Sequence, residues 1–163
     1  MLAQNVIFYA IAATMVLAAI RVVTTQNIVH AALYLVIVLA GVAGQYILLA
    51  AEFTAVVQVL VYIGAIVVLF LFGIMLTRAP IGRTVNLDND QRFMALTVSL
   101  FVLTMLGSIL WDAFGDAKLE DTTVQTSGDV GLSIFRDYVI PFEVISVLLL
   151  AALVGAVVIA RRD

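Results

Sequence analysis

The chain has 163 residues, of which 64% are hydrophobic and 12% charged, and its mean hydropathy is +1.20. Soluble domains carry about 25% charged residues, so this composition excludes an ordinary soluble domain and indicates an integral membrane protein. The lack of cysteine and the single histidine exclude iron–sulfur clusters, thiolate metal sites and bis-histidine haem. The net charge of −3, with scattered charges, does not indicate a nucleic-acid partner.

The first two apolar runs, residues 4–23 and 28–49, are each long enough to cross a bilayer as a helix. No basic residue precedes the first run, so we expect a retained span rather than a secretory signal peptide. The second run carries small residues three and four apart, a pattern typical of close helix contact in lipid: Ala40, Gly41 and Gly44. Only a few residues separate it from the third run, so these two spans are predicted to be antiparallel neighbours.

The third run, residues 54–76, is predicted to be a span with a polar stripe and a deformable centre. Gln58 and Tyr62 are four residues apart, so an α-helix would place them on one face. Gly64 lies near the middle, where a missing side chain allows a close helix contact or a local deformation.

Two more spans follow, at residues 93–111 and 141–160. Between them, residues 112–138 form a hydrophilic loop whose far end carries apolar side chains suited to a membrane surface or a partner: Ile134, Phe135 and Tyr138. The chain is therefore predicted to be a single all-α transmembrane domain over residues 1–163, an integral membrane bundle of five helices.

The basic residues predict the orientation of the bundle. In a five-span chain, six of the eight Lys and Arg residues fall on one side of the membrane: Arg21, Arg78, Arg83, Arg92, Arg161 and Arg162. Lys118 and Arg136 fall on the other side. The positive-inside rule then places the N-terminus outside, the C-terminus in the cytoplasm and the 112–138 loop outside.

Few polar groups lie within the spans, and these are the functional candidates. Glu52 and Glu143 are predicted near the outer interface, where they either act in function or only contact Ser, Thr or lipid headgroups. His30 is predicted near the other interface, as an anchor or a satisfied polar contact rather than a proton relay. The Tyr62 phenol requires a hydrogen-bond partner, which Gln58, water or another subunit can supply. We find no metal, nucleophile or phosphate-binding motif, and therefore predict no catalytic residue.

Three stretches resemble one family, the J subunit of bacterial NADH–quinone oxidoreductase (respiratory complex I) and its mitochondrial homologue, NADH dehydrogenase subunit 6. The third span resembles that family's third-helix signature through EFTAVVQVLVYIGAIVVLFLFGIMLT. NIVHAALYL, from Asn27, is similar to the start of its second helix, and IPFEVISVLLLAALVGAVVIARR, from Ile140, to its last helix. The resemblance covers all five spans in order.

The resemblance implies a small, multi-pass subunit of an enzyme complex in the bacterial inner (plasma) membrane. This subunit lies in the proximal membrane arm near the quinone-binding region, in contact with other membrane-arm subunits and the lipid bilayer. It holds no cofactor itself, since NADH, FMN, iron–sulfur clusters and quinone bind other subunits of the complex.

The resemblance also implies a π-bulge in the third helix, around Tyr62, Ile63, Gly64 and Ala65. Its interchange with the α form would make or break a water wire that Tyr62 lines, with Gly64 as the pivot and Val68 as a hydrophobic gate. Many relatives carry an acid where this chain has Gln58, so no carboxylate would act at that position.

Two other functions are compatible with the residues. The first is the equivalent subunit of a photosynthetic or ferredoxin-driven relative of complex I, in which the same third helix would serve. The second is a free-standing channel or transporter, which five spans without an inverted repeat do not favour.

Overall fold

The computed structural model describes residues 2–77, 91–115 and 124–161, and these ranges contain helices and no strand. The helices are α1 (Leu2–Thr24), α2 (Ile28–Leu48), α3 (Glu52–Leu76), α4 (Arg92–Phe114), α5 (Ser127–Arg136) and α6 (Val139–Ala160). All except α5 are long and apolar enough to span a membrane. The prediction of an all-α protein with five candidate spans is therefore confirmed.

The ends of the five spans lie within three residues of the predicted ends, as is usual for helix termini. The 112–138 segment differs from the prediction, because α4 continues into it as far as Phe114 and α5 occupies ten of its residues. Several of the basic residues that predicted the orientation lie outside the described residues: Arg78, Arg83, Lys118 and Arg162.

Helices α1 and α2 pack against each other along the glycines of α2. A Cβ atom built on Gly41 would lie 2.7 Å from the sulfur of Met15, and one built on Gly44 would lie 3.3 Å from Cδ1 of Ile11. Only glycine leaves room for these α1 side chains at such an approach of the two backbones. The predicted close contact is thus confirmed at both glycines.

Local sequence sets both ends of α2. The Asn27 carboxamide oxygen caps its start by accepting from the backbone N–H groups of Val29 (3.0 Å) and His30 (3.3 Å). At the other end, Ala50 has a left-handed backbone (φ 56°), and the Ala51 N–H reaches back to the Tyr46 carbonyl. This tight turn directs α3 back along α2, so the predicted antiparallel pair is confirmed.

The remaining spans do not complete a bundle. Helix α4 packs against no other helix in the described part of the chain, and α6 packs only against α5. Side chains on every side of both helices are exposed, apart from a partly covered Gly155. Within the described residues, α1, α2 and α3 therefore form a packed three-helix unit, and α6 is joined to it only through α5. Helices that are apolar all round must be covered by lipid or by other proteins.

Candidate functional site in the third helix

The centre of α3 is not an α-helix. Residues Gln58–Val67 form a π-helix, flanked by the α-helical segments Glu52–Val57 and Val68–Leu76. A π-helix closes its hydrogen bonds over five residues instead of four, and such segments are frequent at functional sites. Tyr62, Gly64 and Ala65 lie inside the segment, and Val68 is the first residue after it.

The spacing of covered residues along α3 reflects this wider turn. One row of buried or partly covered residues runs along α3, and Val57 and Gly73 beside it are partly covered too: Ala55, Gln58, Ile63, Val67, Leu71 and Ile74. The steps are three or four residues, as in an α-helix, except for a step of five from Gln58 to Ile63. The π segment thus makes Ile63, rather than Tyr62, the next covered residue after Gln58.

Gln58 anchors the start of the π segment to α2. It is 7% exposed and is the only buried polar residue in the described part of the chain. Its amide nitrogen donates to the carbonyl oxygen of Leu39 over 3.5 Å, a long hydrogen bond. Of the three partners considered for the Tyr62 hydroxyl, Gln58 does not serve among the described residues, since its amide donates to α2 instead.

Two other glutamines bridge helices in the same way. The Gln4 amide donates to the Leu48 carbonyl at 3.2 Å, and the Gln45 amide to the Phe8 carbonyl at 3.4 Å. Side-chain amides form hydrogen bonds between helices in this manner where water is scarce. Sequence reasoning identified Gln58 as polar but did not identify these two bridges, whose signal is a glutamine within an apolar run.

Tyr62 lies on the uncovered surface of α3. Its side chain is 47% exposed, and within the described residues its hydroxyl has no hydrogen-bond partner. Because a phenol in hydrocarbon requires such a partner, one must come from outside the described residues or from water.

Gly64 also lies on the uncovered surface, next to Tyr62. A Cβ atom built there would meet only the Val59 carbonyl of its own helix, at 3.4 Å. Within the described part of this chain, a side chain at Gly64 would therefore not crowd another helix. Ala65 and Val68 are exposed as well. The four residues implied by the resemblance thus share a surface that α2 does not cover.

The two carboxylates lie apart from this surface. Glu52 is exposed at the first residue of α3, beside a cavity that α5 and the segment before it also line through Val124, Gln125 and Val130. Glu143 is exposed near the start of α6. Neither carboxylate has a hydrogen bond or ion pair among the described residues, where no cluster of acidic or histidine side chains suited to a metal ion occurs either.

Comparison with known proteins identifies the family. Residues 18–159 match the family described as NADH-ubiquinone/plastoquinone oxidoreductase chain 6, a range that contains all of α3. One relative is the NAD(P)H-quinone oxidoreductase subunit 6 of the Paulinella chromatophora organellar chromatophore, 40% identical over 98% of this chain and 79% of the relative.

Two further relatives extend the match across distant organisms. The F(420)H(2) dehydrogenase subunit J of Methanosarcina mazei is 39% identical over 98% of this chain and 92% of its own length. The NAD(P)H-quinone oxidoreductase chain 6 of Synechocystis is 40% identical over 98% of this chain and 82% of its own length. The chain therefore belongs to the NADH-ubiquinone/plastoquinone oxidoreductase chain 6 family.

Proposed function

We propose that the chain is a membrane-arm subunit of a proton-translocating NADH–quinone oxidoreductase, and that α3 helps to couple quinone reduction to proton pumping. The family match over residues 18–159 is the observation that carries this proposal. On this proposal the chain contributes to an enzyme without holding a redox centre, and NADH, FMN, iron–sulfur clusters and quinone bind other subunits.

The geometry of α3 supports the coupling role. One side of the π segment is fixed to α2 through the buried Gln58, while Tyr62, Gly64 and Ala65 lie on the uncovered side. A change between π and α forms moves that uncovered side relative to the fixed one, because it alters the number of residues per turn. The Tyr62 hydroxyl would thereby join or leave a chain of water molecules, and the apolar Val68 would close the chain one turn further on.

The uncovered helices support the proposed partners. Among the described residues, no helix packs against α4, and the Tyr62 hydroxyl on the exposed face of α3 has no hydrogen-bond partner. Other membrane-arm subunits would cover these surfaces, and lipid would cover the rest. The names of the chromatophore, archaeal and cyanobacterial relatives contain NAD(P)H or F(420)H(2), so an equivalent subunit of a complex with another electron donor is a second candidate.

Native purification through a tag on this chain tests both candidates. We expect the other membrane-arm subunits to be recovered with it, together with the subunits that bind FMN and oxidise NADH. Recovery of the membrane arm with a different electron-input module would establish the second candidate. Recovery of the chain alone, still able to conduct ions, would indicate a free-standing channel and overturn the proposal.

We also propose the predicted orientation in the bacterial inner membrane, with the N-terminus outside. The arrangement of helix ends supports it. Val23 and Thr24 of α1 line one cavity with Arg92 of α4, so the end of α1 and the start of α4 lie on the same side. Gln4, at the start of α1, contacts Leu48, at the end of α2, on the opposite side. Because the chain has no cysteine, single cysteines report their own side of the membrane. In cells with a permeabilised outer layer, Gln125→Cys should react with an impermeant thiol reagent and Arg162→Cys should not. The opposite pattern would invert the orientation.

A further inference from the structure

We propose that α5 is an interfacial helix, which lies on the bilayer surface with Leu132 and Phe135 inserted at the boundary between lipid headgroups and acyl chains. This surface is separate from the α3 site. We expect this face of α5 to contact the bilayer itself. Three observations support this: the capping of α5, the distribution of its polar side chains, and its continuity with the spans.

Local sequence makes α5 a distinct helix. The Thr126 hydroxyl accepts from the Asp129 backbone N–H (3.3 Å), and the Asp129 carboxylate accepts from the Thr126 backbone N–H (2.9 Å). This reciprocal arrangement is a capping box, which satisfies the free N–H groups at a helix start. Helix α5 ends at Arg136, and only Asp137 and Tyr138 separate it from α6. Its position is therefore fixed by a span at its C-terminal end.

The side chains of α5 are distributed over two kinds of surface. At 3.6 residues per turn, Asp129, Ser133 and Arg136 form one polar arc. The rest of the circumference is mostly apolar. Val130 and Ile134 are partly covered, and the helix packs against the start of α3. The remaining apolar part consists of Leu132 and Phe135, which are 64% and 66% exposed. Such a helix, polar on one side and apolar on the other, is typical of a membrane interface.

The exposed apolar side chains are continuous with the surface of a membrane span. The ring of Phe135 makes an edge contact with the ring of Phe142, with centroids 5.1 Å apart, and Phe142 lies in the first turns of α6. Helix α5 also packs on α3 near Glu52, so it lies at the level where two spans begin. Tyr138, in the connection, is 61% exposed, and tyrosine is enriched at this level of membranes. A face that continues the exposed apolar surface of α6 at this depth is suited to contact with lipid.

Photocrosslinking in native membranes tests the proposal. The photoreactive residue p-benzoylphenylalanine is introduced at position 135, where it replaces another aromatic ring, or at position 132. After irradiation of intact membranes, the subunit is isolated through a tag and its mass measured. We expect a lipid adduct at both positions. The matched control is position 136, on the polar arc, where we expect no adduct.

Each other result overturns the proposal. A crosslink from position 135 or 132 to another protein subunit would make α5 a docking helix for a partner. No adduct at either position would place this face in water. Equal lipid adducts at positions 135 and 136 would show that α5 has no preferred face towards the bilayer. Incorporation of each variant into membranes is measured in parallel, so that only folded protein is compared.

Discussion

The α1–α2 interface and the uncovered face of α3 both place glycines in the middle of a span, and the two regions use them differently. At Gly41 and Gly44 any side chain would meet Met15 or Ile11 of α1 at short distance. At Gly64 it would meet only the carbonyl of Val59 in the same helix, and at Gly73 nothing within 4 Å. The first region is a closed contact within the chain, and the second is an open surface.

Small residues in a span therefore have two separate physical uses. In α2, glycine permits close approach of another helix, and the resulting van der Waals contact holds the helices together. In α3, Gly64 lies within a π-helix, where the absence of a Cβ removes a restriction on the backbone. The same residue type therefore stabilises one region and leaves the other deformable.

The largest effect should come from filling the closed contact. We expect Gly41→Val to separate α1 from α2, because its branched side chain would occupy the position of Met15. Overpacking of this kind destabilises by about 1–3 kcal/mol. Thermal unfolding of the full chain in detergent, together with its amount in membranes, measures the loss.

Two variants sharpen that result. Met15→Ala removes the obstructing side chain, so combining it with Gly41→Val should recover part of the stability, which a double-mutant cycle quantifies. Gly73→Val is the matched control, since a Cβ there has no neighbour within 4 Å. Equal destabilisation by Gly41→Val and Gly73→Val would contradict the distinction between closed and open regions.

The second prediction concerns Gly64→Val on the open surface. The complex should assemble, because no described helix is crowded, but a branched residue restricts the backbone and hinders interchange of π and α forms. A penalty of about 1.4 kcal/mol on one form changes the ratio of the two tenfold. We expect quinone-coupled turnover and proton pumping to fall while NADH oxidation by an artificial acceptor stays normal, since those electrons do not reach this helix.

Pumping per electron in reconstituted vesicles measures this effect, with assembly followed on a native gel. Tyr62→Phe, which removes only the hydroxyl, should give a milder loss of the same kind. Gly73→Val, outside the π segment of the same helix, should pump normally. Normal pumping by a fully assembled Gly64→Val complex would reduce α3 to a scaffold.

The spans and the α2 contact were predictable because each depends on neighbours in the chain. Length and hydrophobicity define a span, and Ala40, Gly41 and Gly44 define a helix-contact face. The environment of Gly64 was not predictable, since glycine permits both packing and deformation. The separation of α4 and α6 was not predictable either, because an apolar helix has the same sequence whether lipid or its own chain covers it.

The third prediction concerns Gln58, whose hydrogen bond joins the open helix to α2. Gln58→Leu removes a 3.5 Å bond to Leu39, and interhelical bonds in membranes average about 0.6 kcal/mol, so the loss of stability should be small. Gln45→Leu, which removes the 3.4 Å bond to Phe8, is the matched control of similar energy. If the hydrogen bond from Gln58 to Leu39 positions the π segment, only Gln58→Leu should alter pumping per electron. Equal pumping by the two variants would limit Gln58 to packing.

The sequence of the 112–138 segment contained the signal for α5, in Thr126 and Asp129 three residues apart. A short helix of ten residues, with glycines at positions 128 and 131, has little intrinsic stability. Its docking on α3 and α6 supplies what local sequence lacks. Packing between segments distant in sequence is the part that a single sequence does not reveal.

The smallest predicted effect concerns α5, which lies outside both the α1–α2 interface and the uncovered face of α3. Hydrogen bonds from the Thr126 side chain and backbone N–H stabilise the ionised Asp129 carboxylate and lower its pKa below the usual value near 3.9. Because the folded pKa is the lower one, this contribution to α5 is complete above the unfolded pKa and is lost as pH falls through the folded pKa.

Amide hydrogen exchange of the full chain in detergent should therefore show α5 opening more readily as pH falls below about 4. Thr126→Ala removes the side-chain bond and keeps the backbone one, so it should reduce this pH dependence and raise exchange in α5 at neutral pH. The amides of α1 and α2 should be unaffected, because their contact contains no part of this cap. An equal change in α2 would mean that α5 and the closed contact unfold as one unit.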